Sequence, residues 1–559
     1  MREKSTNRSI LKQLMSKSRS FEWPSDMDYI VLYSFLYKYC SDIVKDSLLM
    51  ELRDKELTID EAYRNRTNYD MLRFDSLKLN GFFIKKSEVF MEEVVTNYYR
   101  KPGFLHEFLR ILPENIIFSA EYHNLNYFDD FFNEIALNVG HSDFGGEATK
   151  NIGEIINLIS QLDVFDTEFE FTQVFDIISA SRLMHISSNP EYITQILSAL
   201  ILSEKPVINS VYDPFMKDSM SVMKLRESIG YDLKYCYGKD ANRINYHHAI
   251  VKLFLNSFSL KNVFLKHEDA FDSIDIDGAS FDVILSRIPI SIKNYYSSNI
   301  TQSREMAKRN RRGELENLLL ENLEMDGDSF KKNNELNQAL ENLVEKIGFE
   351  DDSNSDFTGQ YESLRDSEFL FLLNLIDSLK ADGIMAISIP ENFLFKQSLE
   401  ILRKYLTLEK NYIDTIIRIP NLLVRSKPEV VIVFRKNKST DDVLFIDMSS
   451  DYDTRRSGFA YPGLFRKNMI LDLNTIKKME NVFVNKLEMS KFSNLISLDE
   501  ISKNDFNLSV SRYVDTFEGK FITLDEVAGE KEKIDSNLRD LNMKIKRMMD
   551  DLDIEFKNK

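Results

Sequence analysis

Apolar residues recur at two different spacings along the chain, and the spacing separates a helical region from a sheet-forming one. Between Phe21 and Asn138 they return every three or four residues, as in DYIVLYSFLYKYCSDIV and EVFMEEVVTNYY. Because an α-helix turns once in about 3.6 residues, this spacing places the apolar side chains on one helix face. Residues 21–138 are therefore predicted to form an N-terminal helical domain, with Tyr37 and Tyr39 in its core.

Short apolar runs replace the helical spacing in the middle of the chain. Three of them lead to an acidic residue, in INSVYDPFM, LKYCYGKDAN and FLKHEDAF, and a fourth, FDVILSRIPISIK, contains a buried-type strand from Phe281 to Leu285. Four such runs separated by helical stretches predict a parallel β-sheet. Further strands are predicted at Ile384–Ile389, after a turn at Asp382-Gly383, and at Val430–Arg435.

Asp213, Asp240 and Asp269 follow successive predicted strands. Ligands of parallel α/β sheets bind beyond the carboxyl ends of the strands, so the three acids are candidate cofactor-binding residues. Asp240 suits a ribose diol, because one carboxylate can accept hydrogen bonds from two hydroxyl groups. An acid in such a place can also cap the helix that follows. The pattern leaves nucleoside binding and helix capping equally open.

Composition narrows the classes of function. The chain has 559 residues, of which 43% are hydrophobic and 29% charged, which suits about two to four domains with apolar cores. Its net charge of −18 argues against tight nucleic-acid binding without a partner or local basic patches. Cys40 and Cys236 are too few for a disulfide framework or a metal cage, so a cytoplasmic, reducing setting is expected. No apolar run approaches the roughly 18 residues that span a bilayer, so no membrane role is expected.

Two basic segments are candidate DNA contacts. Residues 1–20, MREKSTNRSILKQLMSKSRS, are basic and Ser-rich and are predicted to form a mobile arm. Residues 295–365 form a polar insertion with one basic cluster. The cluster consists of Lys308, Arg309, Arg311 and Arg312. Clustered cations attract phosphates, although a charge run is also typical of a solvated surface.

The ends of three predicted strands resemble one family, the methylation subunits of type I restriction-modification systems, which are gamma-class adenine-N6 DNA methyltransferases. That family has D-P-x-x-G-S-G after the first strand, an acid followed by x-N after the second, and N-P-P-F or N-P-P-Y after the fourth. Here these positions are Asp213-Pro214-Phe215-Met216-Lys217-Asp218-Ser219, then Asp240-Ala241-Asn242, then Arg287-Ile288-Pro289-Ile290. The resemblance implies a Rossmann-like methyltransferase domain, with the S-adenosylmethionine positions at Asp213, Pro214, Lys217, Asp240 and Asp269.

The cofactor loop departs from the family pattern at its glycines. In the family, Gly-Ser-Gly lets the backbone approach the methionine moiety of S-adenosylmethionine, whereas side chains of Lys217–Met220 fill that space here. Lys217 also brings a cation toward the place of the sulfonium. Upstream, the family's G-x-F-Y-T-P is replaced by His185–Pro190, where Ser188 or Asn189 is predicted to cap the next helix. We therefore expect no cofactor to bind.

The loop after the fourth strand departs from the pattern in its chemistry. In the family, an Asn oxygen and a proline carbonyl accept the hydrogens of the adenine amine, and an aromatic ring stacks on the flipped base. Arg287 has donors only and a permanent positive charge, so it cannot accept from an amine. Ile288 and Ile290 replace a proline and the aromatic residue, and Pro289 alone agrees. Aligning Ser286 instead of Arg287 with the family's Asn does not restore the motif. Residues 287–290 are therefore predicted to be a catalytically inactive remnant of it.

The C-terminal part resembles the family again. Residues 367–448 are similar to the family's succession of helix, glycine turn, strand, helix, strand and hairpin, and the resemblance implies that KPEVVIVFRKNKSTDDVLFIDMS forms the hairpin. The segment DFNLSVSRYVD, residues 505–515, is similar to the family's YNLNIPRYVD. Apolar residues beyond it alternate spacings of four and three, as in the seam of a coiled coil. They are Ile534, Leu538, Leu541, Ile545, Met548 and Leu552. The resemblance implies that this helix packs on a specificity subunit, and a helix folded back on its own domain fits the spacing equally well.

The sequence as a whole predicts an α/β protein with a mostly parallel sheet. Its predicted regions are a basic arm at 1–20, an N-terminal helical domain at 21–138, a methyltransferase-like domain at 139–450, a C-terminal extension at 451–520 and a coiled-coil helix at 521–559.

The predicted function is that of a catalytically inactive, methylation-subunit-like protein of a restriction-modification or phage-defence system. It would act as an assembly subunit that reaches DNA through its complex with specificity and other restriction-modification subunits. Two alternatives stay open. One is an active S-adenosylmethionine-dependent adenine methyltransferase with divergent motifs. The other is a nucleotide sensor that uses Asp240 and the loop around Lys217.

Overall fold

The structure is a computed structural model that divides by its contacts into two compact units, Met1–Val514 and Asp515–Lys559. The residues that it describes are 6–19, 27–99, 101–119, 127–138, 145–179, 189–205, 207–229, 233–258, 260–270, 280–288, 367–420, 428–450, 471–516 and 524–550.

Helices dominate the first third of the chain, as the spacing of apolar residues predicts. Their bounds are α1 Asn7–Arg19, α2 Met27–Leu52, α3 Ile59–Arg64, α4 Arg66–Leu79, α5 Met91–Tyr98, α6 Phe104–Asn115, α7 Tyr127–Asn138, α8 Gly145–Ser160 and α9 Phe171–Ser179. A two-stranded antiparallel sheet of β1 (Phe82–Ile84) and β2 (Ile116–Phe118) interrupts them. Most of α2 is buried, including Tyr37, whose hydroxyl donates to the carbonyl of Val89. The predicted core position of Tyr37 is therefore confirmed.

The prediction of a mobile N-terminal arm is wrong for residues 7–19, which form α1. Four apolar side chains of α1 are buried, namely Ile10, Leu11, Leu14 and Met15. Lys17 forms an ion pair with Glu154 of α8. The basic and serine residues hid this helix in the sequence, because only one face of its three to four turns is apolar.

The central sheet is built from the short apolar runs. Its strands are β3 Ser210–Asp213, β4 Tyr235–Lys239, β5 Val263–Lys266, β6 Phe281–Arg287, β7 Leu379–Pro390, β8 Ile413–Arg418, β9 Glu429–Arg435, β10 Val443–Asp447 and β11 Ser493–Ile496. Their order across the sheet is β11-β10-β8-β9-β7-β6-β3-β4-β5. Among these strands, β9 and β11 run antiparallel to their neighbours and the others run parallel to one another. The predicted mostly parallel α/β sheet with an N-terminal helical region is confirmed.

Apolar clusters cover both faces of this sheet. In β3, Val211 belongs to one cluster and Tyr212 to the other, and Val283 and Ile284 of β6 divide in the same way. Successive residues of a strand point to opposite faces, so a sheet buried on both sides needs continuous apolar runs. That requirement explains why apolar and polar residues do not alternate along these strands.

The helices that accompany the sheet connect its strands and lead away from them. Their bounds are α10 Glu191–Glu204, α11 Met220–Ser228, α12 Arg243–Leu255, α13 Ser367–Asp377, α14 Glu400–Lys404, α15 Leu473–Asn485, α16 Leu498–Lys503 and α17 Val510–Tyr513. One turn of π-helix, Tyr405–Glu409, continues α14.

Two local predictions about the sheet are wrong. Asp382-Gly383 lies inside β7 rather than in a turn before it, since the pairing with β6 shifts register between Phe281 opposite Leu379 and Val283 opposite Ile384. The strands predicted as a hairpin, β9 and β10, are not neighbours, because β8 lies between them. Local spacing shows that two strands exist, but it does not determine which edges pair.

The second unit contains a long helix, α18, at Leu524–Asp550. Four predicted seam residues of this helix are exposed, namely Ile534, Leu538, Leu541 and Ile545. The side chain of Met548 and the whole of Leu552 lie outside the described residues. The helix agrees with the prediction, and its association as a coiled coil stays a prediction. In the described part of the chain, no helix is both long and apolar enough to cross a membrane.

Candidate functional site

Two groups of side chains lie at the carboxyl edge of the sheet. The first, which we call the Lys217 cluster, consists of Asn189, Asp213, Lys217, Asp240 and Ser286. The second, the Arg287 pair, consists of Arg287 and Glu429. Because β9 is antiparallel to β7, its first residue, Glu429, lies at the same edge as the last residue of β6, Arg287.

The loop between β3 and α11 keeps a backbone path that glycine favours. Lys217 and Ser219 have φ values of 48° and 57°, in the left-handed region. A side chain in that region costs roughly 1 kcal/mol, because its Cβ crowds the backbone. These are the two positions at which the resembled family has glycine. The loop therefore keeps the backbone conformation that glycine favours, in spite of the strain. It carries the side chains of Lys217 and Ser219 in addition.

Lys217 ties this loop to two other segments. Its side chain is buried, and its ammonium donates a 2.8 Å hydrogen bond to Asn189 Oδ1. Its backbone N–H donates a 3.0 Å hydrogen bond to Asp240 Oδ2. The Asn189 amide donates to Ser221 Oγ at 3.1 Å, which fixes the orientation of its oxygen toward Lys217. One residue thus connects the loop after β3, the entrance of α10 and the end of β4.

Asn189 does not act as the predicted helix cap. The residue at the N-cap of α10 is Pro190, and it makes no side-chain capping hydrogen bond. The side chain of Asn189 is turned instead toward Lys217 and Ser221. Capping by Ser188 lies outside the described residues, as does His185.

Asp240 accepts three hydrogen bonds from donors of its own chain. Its Oδ1 accepts from Asn242 N at 2.8 Å and from Asn245 Nδ2 at 3.3 Å, and its Oδ2 accepts from Lys217 N. It is 2% exposed. Burial raises the pKa of its carboxyl group to about 6, although these hydrogen bonds oppose the rise. Helix α12 is capped by Asn242 rather than by Asp240.

Asp213 is fully buried, and only one of its two carboxylate oxygens accepts hydrogen bonds from described residues. Its Oδ1 accepts from Phe215 N at 3.1 Å and from Ser286 Oγ at 2.7 Å, while its Oδ2 has no hydrogen-bond partner among the described residues. Burial raises the pKa of this carboxyl group to about 7. Burial also lowers the pKa of the Lys217 ammonium to about 8, and the charge of Arg287 adds to that effect.

The Arg287 pair closes the edge beside the Lys217 cluster. Arg287 Nε donates to both carboxylate oxygens of Glu429, at 3.1 and 2.9 Å, and one terminal nitrogen donates to Oε1. Ser388 of β7 donates to Glu429 Oε2 at 2.8 Å. The side chains of Arg287 and Glu429 are 17% and 5% exposed. A guanidinium engaged in this way is held as a cation, with Nε and one terminal nitrogen bound to the carboxylate.

Tyr192 lies near this pair, on the first turn of α10. It is buried, and burial, followed by the charge of Glu429, raises the pKa of its hydroxyl group. Tyr192, Glu429 and Asn189 are the site residues that the sequence analysis missed. Only Asn189 had a local signal, its position before Pro190. Glu429 is more than a hundred residues from Arg287 and could be found only through the strand order.

The remaining predicted residues are not part of these two groups. Pro214 is buried beside Asp213, and Asp269 is half-buried after β5. Ile288 is partly buried against the apolar cluster on one face of the sheet. Three predicted elements lie outside the described residues: Pro289, Ile290 and the basic cluster Lys308, Arg309, Arg311 and Arg312. Within the described part of the chain, no group of His, Cys, Asp and Glu side chains is arranged to hold a metal ion.

The residues present do not fit S-adenosylmethionine. The side chain of Lys217 is buried in the loop where the resembled family has glycine, and it brings a cation toward the place that the resemblance assigns to the sulfonium. Asp240 already accepts three hydrogen bonds from its own chain. Two like charges repel strongly where water is excluded. A ribose would have to displace Lys217, Asn242 or Asn245 from Asp240. The structure therefore supports no chemical step through this cofactor.

Comparison with known proteins points to one group. A family model described as N-6 DNA Methylase matches residues 316–520. The methylase subunit of the type I restriction enzyme MpnII from Mycoplasma pneumoniae is 22% identical over 572 aligned residues, covering 95% of this chain and 94% of the relative. The methylase subunit of the type I restriction enzyme MjaVII from Methanocaldococcus jannaschii is 30% identical over 155 residues, or 26% of this chain and 24% of the relative.

Solved structures agree in fold. The methyltransferase subunit of a type I restriction-modification system from Streptococcus thermophilus superimposes with a TM-score of 0.65 at 20% identity, covering 91% of this chain and all of that one. A structure concerned with complex assembly and conformational transition of the type I system has a TM-score of 0.52 at 11% identity, covering 99% of both chains. The family resemblance predicted from the sequence is confirmed.

Removing one member of the Arg287 pair should destabilise the protein more than removing both. Glu429→Gln leaves the half-buried guanidinium without its counter-charge, which costs about 3 kcal/mol or more. In the double variant Arg287→Met/Glu429→Gln no unpaired charge remains, so part of this loss should be recovered. Scanning calorimetry of the three proteins measures the effect.

The matched control for this pair is Glu114→Gln, which breaks a surface pair with Arg110 whose side chains are 49% and 51% exposed. It should leave the melting temperature unchanged, because solvent screens exposed pairs. A double variant that melts below Glu429→Gln would contradict the assignment of a paired guanidinium.

Asp213 should make stability depend on pH between about 4 and 7. Its pKa is raised from 3.8 to about 7 in the folded protein, so its contribution is present below the unfolded pKa and is lost as pH rises through the folded one. The melting temperature of the wild type relative to Asp213→Asn should therefore fall between pH 4 and pH 7.

Asp282→Asn provides a control of opposite sign for this titration. Burial would raise the pKa of Asp282, but the ion pair with Lys380 and backbone donors outweigh it and lower that pKa. Its contribution is therefore constant above about pH 5 and is lost only in more acidic solution. A difference between wild type and Asp213→Asn that is flat from pH 4 to 7 would show that Asp213 is ionised throughout.

Proposed function

We propose that this chain, which resembles the methylation subunits of type I restriction-modification systems over nearly its whole length, is a catalytically silent subunit of such a system. Its role is assembly: it contributes a methyltransferase-type fold to a DNA-associated complex without transferring methyl groups. The observation that carries this proposal is the Arg287 pair, at the position where the family has the Asn that accepts from adenine.

The chemistry of that position explains the loss of activity. Transfer to an exocyclic amine requires acceptors that take up its hydrogens as positive charge builds on the nitrogen. Arg287 has donors only, and Glu429 binds it through two carboxylate oxygens. Because the guanidinium stays cationic at any physiological pH, it opposes the charge that forms on the nucleophile.

The pairing with Glu429 supports a site in which the charge of Arg287 is stably accommodated. An arginine introduced alone at a half-buried strand end would carry an unpaired charge, which is strongly destabilising. Here the neighbouring strands supply a carboxylate and a hydroxyl group, Glu429 and Ser388, within hydrogen-bonding distance. The charge is therefore accommodated by the fold around it.

An active adenine methyltransferase with divergent motifs is the competing function. The names of the relatives favour it, since they are methylase subunits. The geometry of the Lys217 cluster and of the Arg287 pair opposes it, because cofactor and amine would each meet a cation. The nucleotide-sensor alternative is opposed by Asp240, whose carboxylate is occupied by donors of its own chain.

The proposed partners are a specificity subunit and further restriction-modification subunits, in the cytoplasm, with DNA reached through the complex. The support for this arrangement is α18, in which Ile534, Leu538, Leu541 and Ile545 follow a coiled-coil spacing and are exposed. A helix with such a seam gains stability by burying it against another helix. The role in phage defence is proposed from the resemblance to subunits of restriction-modification systems.

We expect no methyl transfer from the wild-type chain, from Arg287→Asn or from Arg287→Asn/Glu429→Gln. Restoring the amide removes one obstacle, but Lys217 still fills the cofactor loop in all three proteins. The measurement is transfer of tritiated methyl groups from S-adenosylmethionine to unmethylated DNA, with the partner subunits of the same system present.

An active adenine-N6 methyltransferase acting on the same DNA is the positive control for this assay. Transfer by the wild type would establish the competing function. Transfer by either variant, with an inactive wild type, would show that the cofactor pocket is open and that Arg287 alone silences the enzyme.

Leu541→Asp should prevent assembly with the specificity subunit, because a carboxylate in the seam cannot be buried between helices. The matched control is Met543→Asp on the same helix, since Leu541 and Met543 are 57% and 55% exposed but only Leu541 belongs to the seam. Copurification with a tagged specificity subunit measures the effect. Equal copurification of both variants would place the interface elsewhere.

A further inference from the structure

We infer that Lys217 is an internal occupant of the nucleotide pocket: its side chain takes the place of a bound ligand and holds the pocket walls together. This goes beyond the proposed function, because it concerns what stabilises the fold at this edge and holds whether or not the chain assembles with partners. The inference follows from the contacts of one residue, whose side chain and backbone amide tie its own loop to two other segments.

The first step of the argument is which segments Lys217 joins. The loop after β3, the entrance of α10 and the carboxyl end of β4 surround the place beyond the strands where α/β sheets bind nucleotides. A ligand bound there would bridge these segments through hydrogen bonds. In this chain the bridges are the Lys217 ammonium to Asn189 Oδ1 and the Lys217 amide to Asp240 Oδ2, at 2.8 and 3.0 Å.

The second step concerns the backbone strain at Lys217. A lysine on a surface loop gains nothing from a left-handed conformation, and its φ of 48° therefore needs compensation. The compensation is a pair of hydrogen bonds that each involve a buried charged group, from the Lys217 ammonium to Asn189 and from the Lys217 backbone amide to the Asp240 carboxylate. Such bonds are worth more than neutral ones, and the first of them depends on the lysine side chain.

The third step gives the chemical class of the occupant. Acceptor oxygens face the buried Lys217 side chain: Asn189 Oδ1 binds its ammonium, and the carboxylates of Asp213 and Asp240 act on its charge. Asp213 Oδ2 has no partner among the described residues. A cavity with this lining would take a primary ammonium ion, and it would reject carboxylate or phosphate ions because two carboxylates would repel them.

The inference predicts that a soluble amine can replace the side chain. Lys217→Ala removes three carbon atoms and the ammonium, the atoms of n-propylammonium. Its melting temperature should fall by roughly 4 °C, because Asn189 Oδ1 and the carboxylates lose their cation. Millimolar n-propylammonium chloride should then raise it by roughly 2 °C, since a ligand that binds only the folded state stabilises it.

Two controls separate this effect from general solvent effects. Lys217→Met keeps an unbranched side chain that is one heavy atom shorter and removes the charge, so it should melt lower than the wild type and should not respond to the amine. Sodium chloride and 1-propanol at equal concentration should not restore Lys217→Ala. The wild-type protein should respond neither to n-propylammonium nor to S-adenosylmethionine, because its pocket is filled.

A measurement on the wild type alone covers the case in which Lys217→Ala does not fold. In native protein treated with an amine-acylating reagent, Lys217 should be modified more slowly than the exposed Lys234, and S-adenosylmethionine should not change either rate. Fast modification of Lys217, a rise in wild-type melting temperature with S-adenosylmethionine, or an amine response shared by Lys217→Met would overturn the inference. None of these results depends on the methyl-transfer assay, so the two proposals fail separately.

Discussion

The hydrogen bond from the Lys217 ammonium to Asn189 Oδ1 connects two segments that the sheet itself does not hold together. An ammonium buried without a partner would be expelled or neutralised, because it loses its hydration and gains nothing in return. Satisfying it requires that Asn189 point inward from the entrance of α10, and Ser221 keeps it there. The placement of Asn189 at this edge of the sheet follows from the need to pair one buried charge.

The same requirement explains the neighbouring Arg287 pair. Arg287 ends β6, Ser388 lies opposite it on β7, and Glu429 begins β9, so three adjacent strands provide a cation, a hydroxyl group and a carboxylate at one edge. At two places where the family resemblance implies contacts to a ligand, this chain has a cation bound by its own side chains. Both changes are compensated locally, and the apolar faces of the sheet are intact beneath them.

This separation between scaffold and site fits the relation to the type I methylation subunits. Identity of 22% over 95% of the chain with one relative and a TM-score of 0.65 with a solved subunit describe a shared fold. Fold stability depends on buried apolar runs, whereas chemistry depends on a few side chains at the edge. A fold can persist when the side chains at its edge are replaced, so the likeness in fold does not determine activity here.

The sequence by itself determined the layers of this protein: helical spacing predicted the N-terminal helices, and continuous apolar runs predicted a sheet buried on both faces, because these patterns are local. It also located Lys217 and Arg287 as departures from a glycine and an asparagine. It did not determine their partners. Asn189 and Glu429 are brought to these cations by the packing of α10 and by the order of β6, β7 and β9, and a contact between residues far apart in the chain has no local signal. The helix α1 was missed for a related reason, since the burial of its single apolar face is decided by what packs against it.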